Sequence, residues 1–181
     1  MSEPYRIITV CTGNICRSPM AELMLQRAAD AAELDVVVDS AGTSAWESGN
    51  PIDPRAAARL DEAGIDSAAH LARRFRTEWF AERDLILALD LDHFETLLSA
   101  APDQAARAKV RMLRSFDPEV AGREAAEQGI ADPWFGGSRD FDSGWRLIDA
   151  AIPGILAHVK REQVEQEQAN KEQDRDANAG R

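Results

Sequence analysis

Cysteine and histidine are scarce in this 181-residue chain, which contains only Cys11, Cys16 and three histidines. Two cysteines are too few for the disulfide framework of a secreted domain of this size. The histidines, His70, His93 and His158, are far apart in sequence and show none of the paired spacings of a zinc site. We therefore expect no structural metal and no cofactor, and we expect the thiols to serve chemistry or to lie in a reduced interior.

Long apolar runs and an excess of basic residues are also missing. No segment approaches the roughly 20 apolar residues that cross a bilayer, and the N-terminus lacks the pattern of a secretory signal. We expect a cytoplasmic protein with no membrane segment, while export without a signal peptide stays open. The 21 basic and 32 acidic residues give a net charge of −11, which repels a nucleic-acid backbone. We therefore expect no nucleic-acid partner.

What the chain does contain is an alternation of apolar strands and helices. The apolar run Tyr5–Cys11 predicts a first strand, and Ser18 and Pro19 predict the N-cap and first position of a helix reaching about residue 33. Further strands are predicted at 36–40, 85–89 and 110–113, with helices at 53–64, 77–83 and 92–100 and from about 143. Continuous apolar strands separated by helices are typical of a parallel sheet covered on both faces. The fold class predicted is a three-layer α/β sandwich.

The C-terminal third divides into three parts. Residues 115–143 are rich in Gly and Pro and predict a long functional loop. The helix after it is expected to kink or restart at Pro153 and Gly154. Residues 160–181 are charged, Gln-rich and almost without apolar side chains, which predicts a disordered tail or a frayed extension of the helix. We therefore predict one domain over residues 1–159 and a tail over 160–181.

The segment CTGNICRSP, residues 11–19, lies between the first strand and the first helix, where open α/β sheets bind ligands. Backbone N–H groups at a helix N-terminus can surround an oxyanion, and the Arg17 guanidinium can add a two-donor fork. A thiol beside a helix N-terminus and an arginine ionises readily, so Cys11 is a candidate nucleophile for bound phosphate. The loop lacks the G-x-x-x-x-G-K-[ST] pattern, which argues against nucleotide chemistry.

This segment resembles the signature V-C-x-G-N-x-C-R-S-P of the low-molecular-weight protein tyrosine phosphatases, matched over residues 10–19. Further similarities include DSAGT at 39–43 and DPWFG at 132–136. The resemblance covers residues 5–159, and its details look most like actinobacterial members of the family. It implies a flavodoxin-like sheet of four parallel strands in the order 2-1-3-4. We further expect a monomer.

The resemblance assigns roles to individual residues. It implies that Cys11 is the nucleophile, that Arg17 binds phosphate and that Asp132 is the general acid. Ser40 and His70 resemble residues that support the loop. Substrate-binding roles are implied for Thr12, Gly13, Asn14, Ile15, Cys16, Ser18, Trp46, Trp134 and Phe135. For Cys16, packing and protection of the nucleophile by a reversible disulfide are both open, and Asp90 is interpreted as a structural residue at a strand end.

The function predicted is hydrolysis of phosphotyrosine through a cysteinyl-phosphate intermediate. The expected partners are phosphotyrosine proteins, with a tyrosine kinase as one candidate, and phosphate or other oxyanions in the site. Arsenate reduction on the same fold would need relay cysteines, and none follows Cys16. Arginine phosphatases resemble this chain but carry a small polar residue in place of Ile15. A phosphate-dependent binding module is the alternative without catalysis.

Overall fold

A computed structural model describes the chain over residues 3–179, with side chains described over 3–173. Its centre is a sheet of four parallel strands, β1 (Tyr5–Cys11), β2 (Val36–Gly42), β3 (Leu85–Ala88) and β4 (Val110–Met112). The strand order is β2-β1-β3-β4. This confirms the predicted α/β class, the four strands and their order.

Helices cover both faces of the sheet. They are α1 (Arg17–Ala31), α2 (Pro54–Glu62), α3 (Trp79–Glu82), α4 (Leu91–Ala100), α5 (Gln104–Ala108) and α6 (Ser138–Ala179), with 3₁₀ turns at Leu113–Phe116 and Ala125–Gln128. Successive strand side chains point to opposite faces, so Ile7 packs with α1, α2 and α6 while Ile8 packs with α3 and α4. Both side chains are fully buried, which explains why the strands are continuously apolar.

The start of α1 differs from the prediction. Ser18 was expected at the N-cap with Pro19 first in the helix, but α1 begins at Arg17, and its N-cap residue Cys16 makes no side-chain capping bond. The Ser18 hydroxyl instead lies 3.0 Å from the sulfur of Cys11. The helix therefore starts directly from the loop, and its first N–H groups are left for a ligand.

The segment predicted as one long loop is shorter and more ordered than expected. Helix α6 begins at Ser138 rather than near residue 143, and the two 3₁₀ turns occupy part of the remainder. The buried Ile130 donates its N–H to the carbonyl of Leu89 at 2.8 Å, just beyond the end of β3. This bond brings the residues after Ile130 to the carboxyl ends of the strands, where β1 also ends.

Helix α6 runs through Pro153 without a restart, contrary to one form of the prediction. Gly154 is needed here, because a Cβ atom on it would lie 2.2 Å from the carbonyl oxygen of Phe116. Beyond residue 160 the helix continues to Ala179, and Gln163 donates to the carbonyl of Asp35 at 3.0 Å. The division into a domain over 1–159 and a tail over 160–181 stays a prediction. Across residues 3–179, no helix combines the length and the apolar character of a membrane span.

Candidate active site

Residues 11–17, here the anion loop, join the end of β1 to the start of α1. Asn14 has a φ of 60°, in the left-handed region, which turns the loop back on itself. The carbonyls of Cys11, Thr12 and Ile15 accept hydrogen bonds from Thr43, Ser44 and Asp53, all outside the loop. With its carbonyls bonded outward, the loop keeps N–H groups for an anion in its interior.

Cys11 lies at the end of β1, and its side chain is 3% exposed. The sulfur is 3.0 Å from the Ser18 hydroxyl and 3.3 Å from the backbone N–H of Asn14. Both groups can donate to a thiolate, and the N-terminus of α1 adds partial positive charge. The structure thus places two hydrogen-bond donors and a helix N-terminus around the sulfur of the predicted nucleophile.

The Arg17 guanidinium, 4% exposed, is held from one side by acceptors. Its Nη1 donates to Asp90 at 2.7 Å and to the carbonyl of Ile130 at 2.9 Å, and its Nη2 donates to Asp132 at 2.9 Å. Its Nε is buried and has no hydrogen-bond partner among the described residues. A buried donor without a partner is costly unless a ligand satisfies it. Arg17 therefore retains a donor for an incoming oxyanion.

Asp132 lies 115 positions from Arg17 in sequence, yet the two side chains form an ion pair. Its second oxygen accepts the N–H of Trp134 at 3.1 Å, so the carboxylate is fixed within its own turn. The side chain is 49% exposed, which lets it exchange Arg17 for another partner. The fold therefore brings Cys11, Arg17 and Asp132 together at one cavity.

A cavity of about 300 Å³ opens above the anion loop. Trp46 and Phe135 are 85% and 98% exposed at its rim. Its lining consists of Cys11, Thr12, Gly13, Ile15, Cys16, Arg17, Trp46, Glu47, Asp132, Trp134 and Phe135. An apolar, aromatic wall above an anion-binding floor fits a phosphorylated aromatic side chain better than a phosphorylated aliphatic one.

Three side chains outside the cavity lining brace the anion loop through Asn14. The side-chain nitrogen of Asn14 donates to the Ser18 hydroxyl at 2.9 Å and to the Ser40 hydroxyl at 2.7 Å. His70 Nε2 lies 2.7 Å from the Asn14 carbonyl oxygen, and Ser40 also hydrogen-bonds Glu22. Burial lowers the pKa of His70, so the ring donates this bond as a neutral imidazole. These bonds offset the strain of the left-handed Asn14 backbone.

All the residues of this site lie within a match to a known protein family. A family model described as low molecular weight phosphotyrosine protein phosphatase matches residues 6–166. The chain belongs to this family. It is 45% identical over 163 residues to a low molecular weight protein-tyrosine-phosphatase of Streptomyces coelicolor, covering 89% of this chain and 96% of the relative. The chain is therefore a protein-tyrosine-phosphatase, a hydrolase of phosphoric monoesters.

Two further similarities agree with this assignment. Low molecular weight protein-tyrosine phosphatase A of Mycobacterium tuberculosis is 41% identical over 157 residues, which are 86% of this chain and 91% of that protein. The crystal structure of a protein tyrosine phosphatase from Entamoeba histolytica aligns with a TM-score of 0.79 at 25% identity, covering 88% of this chain and 99% of that one. The resemblance inferred from the sequence is confirmed.

The phosphatase site also contains two residues whose contacts the sequence did not predict. Asp90 caps α4, and beyond this structural role it binds Arg17. Its other oxygen lies 2.9 Å from Nδ1 of His93, whose Nε2 lies 2.8 Å from the Thr12 hydroxyl. Burial opposes ionisation of Asp90, but hydrogen bonds from His93 and the charge of Arg17 outweigh it and hold the pKa of Asp90 far below its usual range. A charged Asp90 thus orients Arg17.

No signal in a single sequence identifies Asp90 as a partner of Arg17. The residue stands at a strand end before a helix, where an N-cap Asp is common. The contact between Asp90 and Arg17 depends on the neighbouring position of β1 and β3 in the sheet.

The described residues contain no group of three or more His, Cys, Asp or Glu side chains placed to hold a metal.

Proposed function

We propose that this phosphatase hydrolyses phosphotyrosine in two steps, with Cys11 as nucleophile, Arg17 as phosphate ligand and Asp132 as general acid and base. The observation that carries the proposal is the convergence of these three side chains on one cavity. The unpartnered Nε of Arg17 supports an anion as the ligand of that cavity. The names of the relatives support phosphotyrosine proteins as the substrates.

In the first step the Cys11 thiolate attacks phosphorus in line with the phenolic oxygen. The phosphorus–oxygen bond breaks, a sulfur–phosphorus bond forms, and Asp132 gives its proton to the departing oxygen. Anion binding competes with Asp132 for Nη2 of Arg17, which frees the carboxyl for the leaving group. The Arg17 guanidinium and the loop N–H groups stabilise the three equatorial oxygens.

In the second step Asp132, now a carboxylate, accepts a proton from water. The water oxygen attacks phosphorus, the sulfur–phosphorus bond breaks, and inorganic phosphate leaves with Cys11 again a thiolate. Ser18 and the Asn14 N–H, which contact the sulfur in the free enzyme, stabilise the thiolate as it departs. No metal is required for either step.

Tyrosine is favoured over arginine as the phosphate carrier by Ile15, which adds an apolar side chain to a wall already lined by Trp46 and Trp134. Both cysteines are free, which supports action in the reducing cytoplasm. We propose that the enzyme works there as a monomer on phosphotyrosine proteins, with a tyrosine kinase as a candidate substrate. Parallel assays with phosphotyrosine, phosphoarginine and arsenate test whether phosphotyrosine is the preferred substrate.

The effect of Asp132→Asn tests the proposed acid. Tyrosine has an unperturbed pKa of about 10 and leaves poorly as phenolate, so its departure depends on a donated proton. We expect Asp132→Asn to slow phosphoenzyme formation from a phosphotyrosine peptide by about 10²- to 10⁴-fold. Formation from 2,4-dinitrophenyl phosphate, whose phenol is far more acidic, should change much less. Rapid-quench measurement isolates this step from water attack.

Asp142→Asn is the matched control, because Asp142 pairs with Arg59 and lies outside the cavity lining. It should leave both rates near those of the wild type. Equal losses for the two esters in Asp132→Asn would mean that Asp132 only positions its loop.

Cys16→Ser tests protection of the nucleophile by a disulfide. Burial and the nearby Asp53 carboxylate raise the pKa of Cys16 well above its usual range, so it stays a thiol and peroxide oxidises Cys11 first. Peroxide converts Cys11 to a sulfenic acid, and the Cys16 thiol then displaces water to form a disulfide. We expect dithiothreitol to restore the oxidised wild type fully and Cys16→Ser only in part. Equal recovery of the two proteins would assign Cys16 to packing alone.

A further inference from the structure

Arg55, near the start of α2, makes contacts that the mechanism above does not use. Its Nη1 donates to the carbonyl of Gly136 at 2.8 Å, and its Nη2 donates to the carbonyl of Trp134 at 3.2 Å. Both carbonyls belong to residues 132–137, here the Asp132 loop. One guanidinium therefore binds this loop at two carbonyls, which lie two and four residues after the proposed acid. Arg55 and Gly136 are 81 positions apart in sequence.

The Arg55 side chain is itself held in a fixed orientation. Asp53, only 7% exposed, accepts Nε of Arg55 at 3.0 Å on one oxygen and Nη2 at 2.8 Å on the other. Asp53 also caps α2 by accepting the backbone N–H of Arg55 at 2.8 Å. The guanidinium carbon lies 4.8 Å from the ring centre of Phe141 at the start of α6. A two-point ion pair of this kind fixes the plane of the guanidinium as well as its place.

Asp53 connects this arrangement to the anion loop. Its backbone N–H donates to the carbonyl of Ile15 at 2.8 Å. Residues 53–55 therefore contact both halves of the site: Asp53 touches the loop that follows Cys11, and Arg55 touches the loop that follows Asp132. Apart from the bond that Arg17 donates to the Asp132 carboxylate, the other hydrogen bonds of this loop are local, such as that from the Gly136 N–H to the carbonyl of Pro133 at 2.9 Å.

We propose that Arg55 is a positioning residue that holds the Asp132 loop over the anion loop, so that the proposed acid reaches the leaving oxygen. The proposal rests on the proposed function, because it takes Asp132 as the proton donor. Arg55 does not line the cavity and does not contact the reacting atoms. Its effect must therefore appear in the proton-dependent part of the reaction and not in anion binding.

The chain offers a closely matched control in Arg59, one helical turn further along α2. Arg59 pairs with Asp142 at 3.0 Å and stacks on Trp145 at 4.1 Å, as Arg55 pairs with Asp53 and stacks on Phe141. Among its described contacts none is with the Asp132 loop. A comparison of Arg55→Gln with Arg59→Gln thus separates the loss of the loop contacts from the loss of a charge and an aromatic contact.

The experiment measures phosphoenzyme formation by rapid quench from a phosphotyrosine peptide and from 2,4-dinitrophenyl phosphate. We expect Arg55→Gln to slow the first about 10- to 100-fold and the second less than about 3-fold, because a misplaced acid matters only for the poor leaving group. Arg59→Gln should change neither rate. Arg55→Lys should recover part of the loss, since one ammonium cannot serve Asp53 and both carbonyls.

A double variant shows whether Arg55 acts through Asp132. With Asp132→Asn in place, Arg55→Gln should cause no further loss in the phosphotyrosine rate. Equal losses for the two esters, or an additive loss in the double variant, would overturn the proposal. Dependence on the leaving group in Asp132→Asn but not in Arg55→Gln would overturn only the role of Arg55. If the rate loss in Asp132→Asn itself did not depend on the leaving group, the proposed function would be overturned instead. Affinity for inorganic phosphate should stay unchanged in Arg55→Gln, which confirms that the anion loop is intact.

Discussion

Cys11→Ser should abolish turnover while binding of a phosphotyrosine peptide persists. The change replaces sulfur by oxygen in a side chain that is 3% exposed, so packing is nearly preserved. A serine hydroxyl stays protonated near pH 7 and is a weak nucleophile without an adjacent general base. We expect kcat to fall about 10⁴-fold or more, as loss of a catalytic nucleophile does in other hydrolases. The loop N–H groups and Arg17 remain, so calorimetry should show peptide binding close to that of the wild type.

Mass spectrometry of quenched reactions gives an independent measurement. The wild type should carry one phosphate during turnover of phosphotyrosine, and Cys11→Ser should carry none. Cys16→Ser is the control with the same atomic exchange in the same loop, and it should still form the phosphoenzyme under reducing conditions. Substantial turnover by Cys11→Ser, or a phosphoenzyme formed in it, would remove Cys11 as the nucleophile.

The strands and helices were predictable because their determinants are local, whereas the strand order was implied by the family resemblance. Runs such as LILAL at 85–89 are apolar on successive residues, and a run of this length is typical of a strand buried on both faces. Asp53 and Pro54 combine an N-cap with a preferred first residue, and α2 begins there as predicted. The pair Ser18 and Pro19 looks the same in sequence but failed, because the Ser18 hydroxyl is engaged by the anion loop. At Ser18 the tertiary contacts of the site therefore outweigh the local preference for capping a helix.

The candidate site was only partly predictable, and the limit follows from sequence distance. Residues 11–17 are contiguous and their chemistry can be inferred from one segment. Asp132 was found because DPWFG at 132–136 resembles the family, since an Asp–Pro pair alone also occurs at Asp117. The contacts of Asp90 and Arg55 span 73 and 81 positions and depend on how the elements pack. No periodicity or motif encodes a side chain whose partners are backbone carbonyls.

Arg17→Lys should be almost as damaging as loss of the nucleophile, although it keeps the charge. Arg17 uses Nη1 to hold Asp90 and the Ile130 carbonyl. The donors left for phosphate are Nε, which has no partner among the described residues, and Nη2, for which an anion competes with Asp132. Lysine has one ammonium group, which can pair with Asp90 or contact phosphate but cannot present two coplanar donors. Arginines that stabilise a phosphoryl transition state contribute about 10³- to 10⁵-fold to kcat. We expect a loss in that range, measured as kcat/KM on a phosphotyrosine peptide.

The same substitution should also weaken inorganic phosphate as a competitive inhibitor, because the ground-state anion uses the same two donors. Arg114→Lys is the matched control: Arg114 is 8% exposed and donates through Nε and Nη2 to Asp117, but it lies outside the cavity lining. It should lower the melting temperature and leave kcat/KM near that of the wild type. An Arg17→Lys enzyme with near-normal kcat/KM would show that charge alone suffices, and that the fork geometry of Arg17 has no part in holding phosphate.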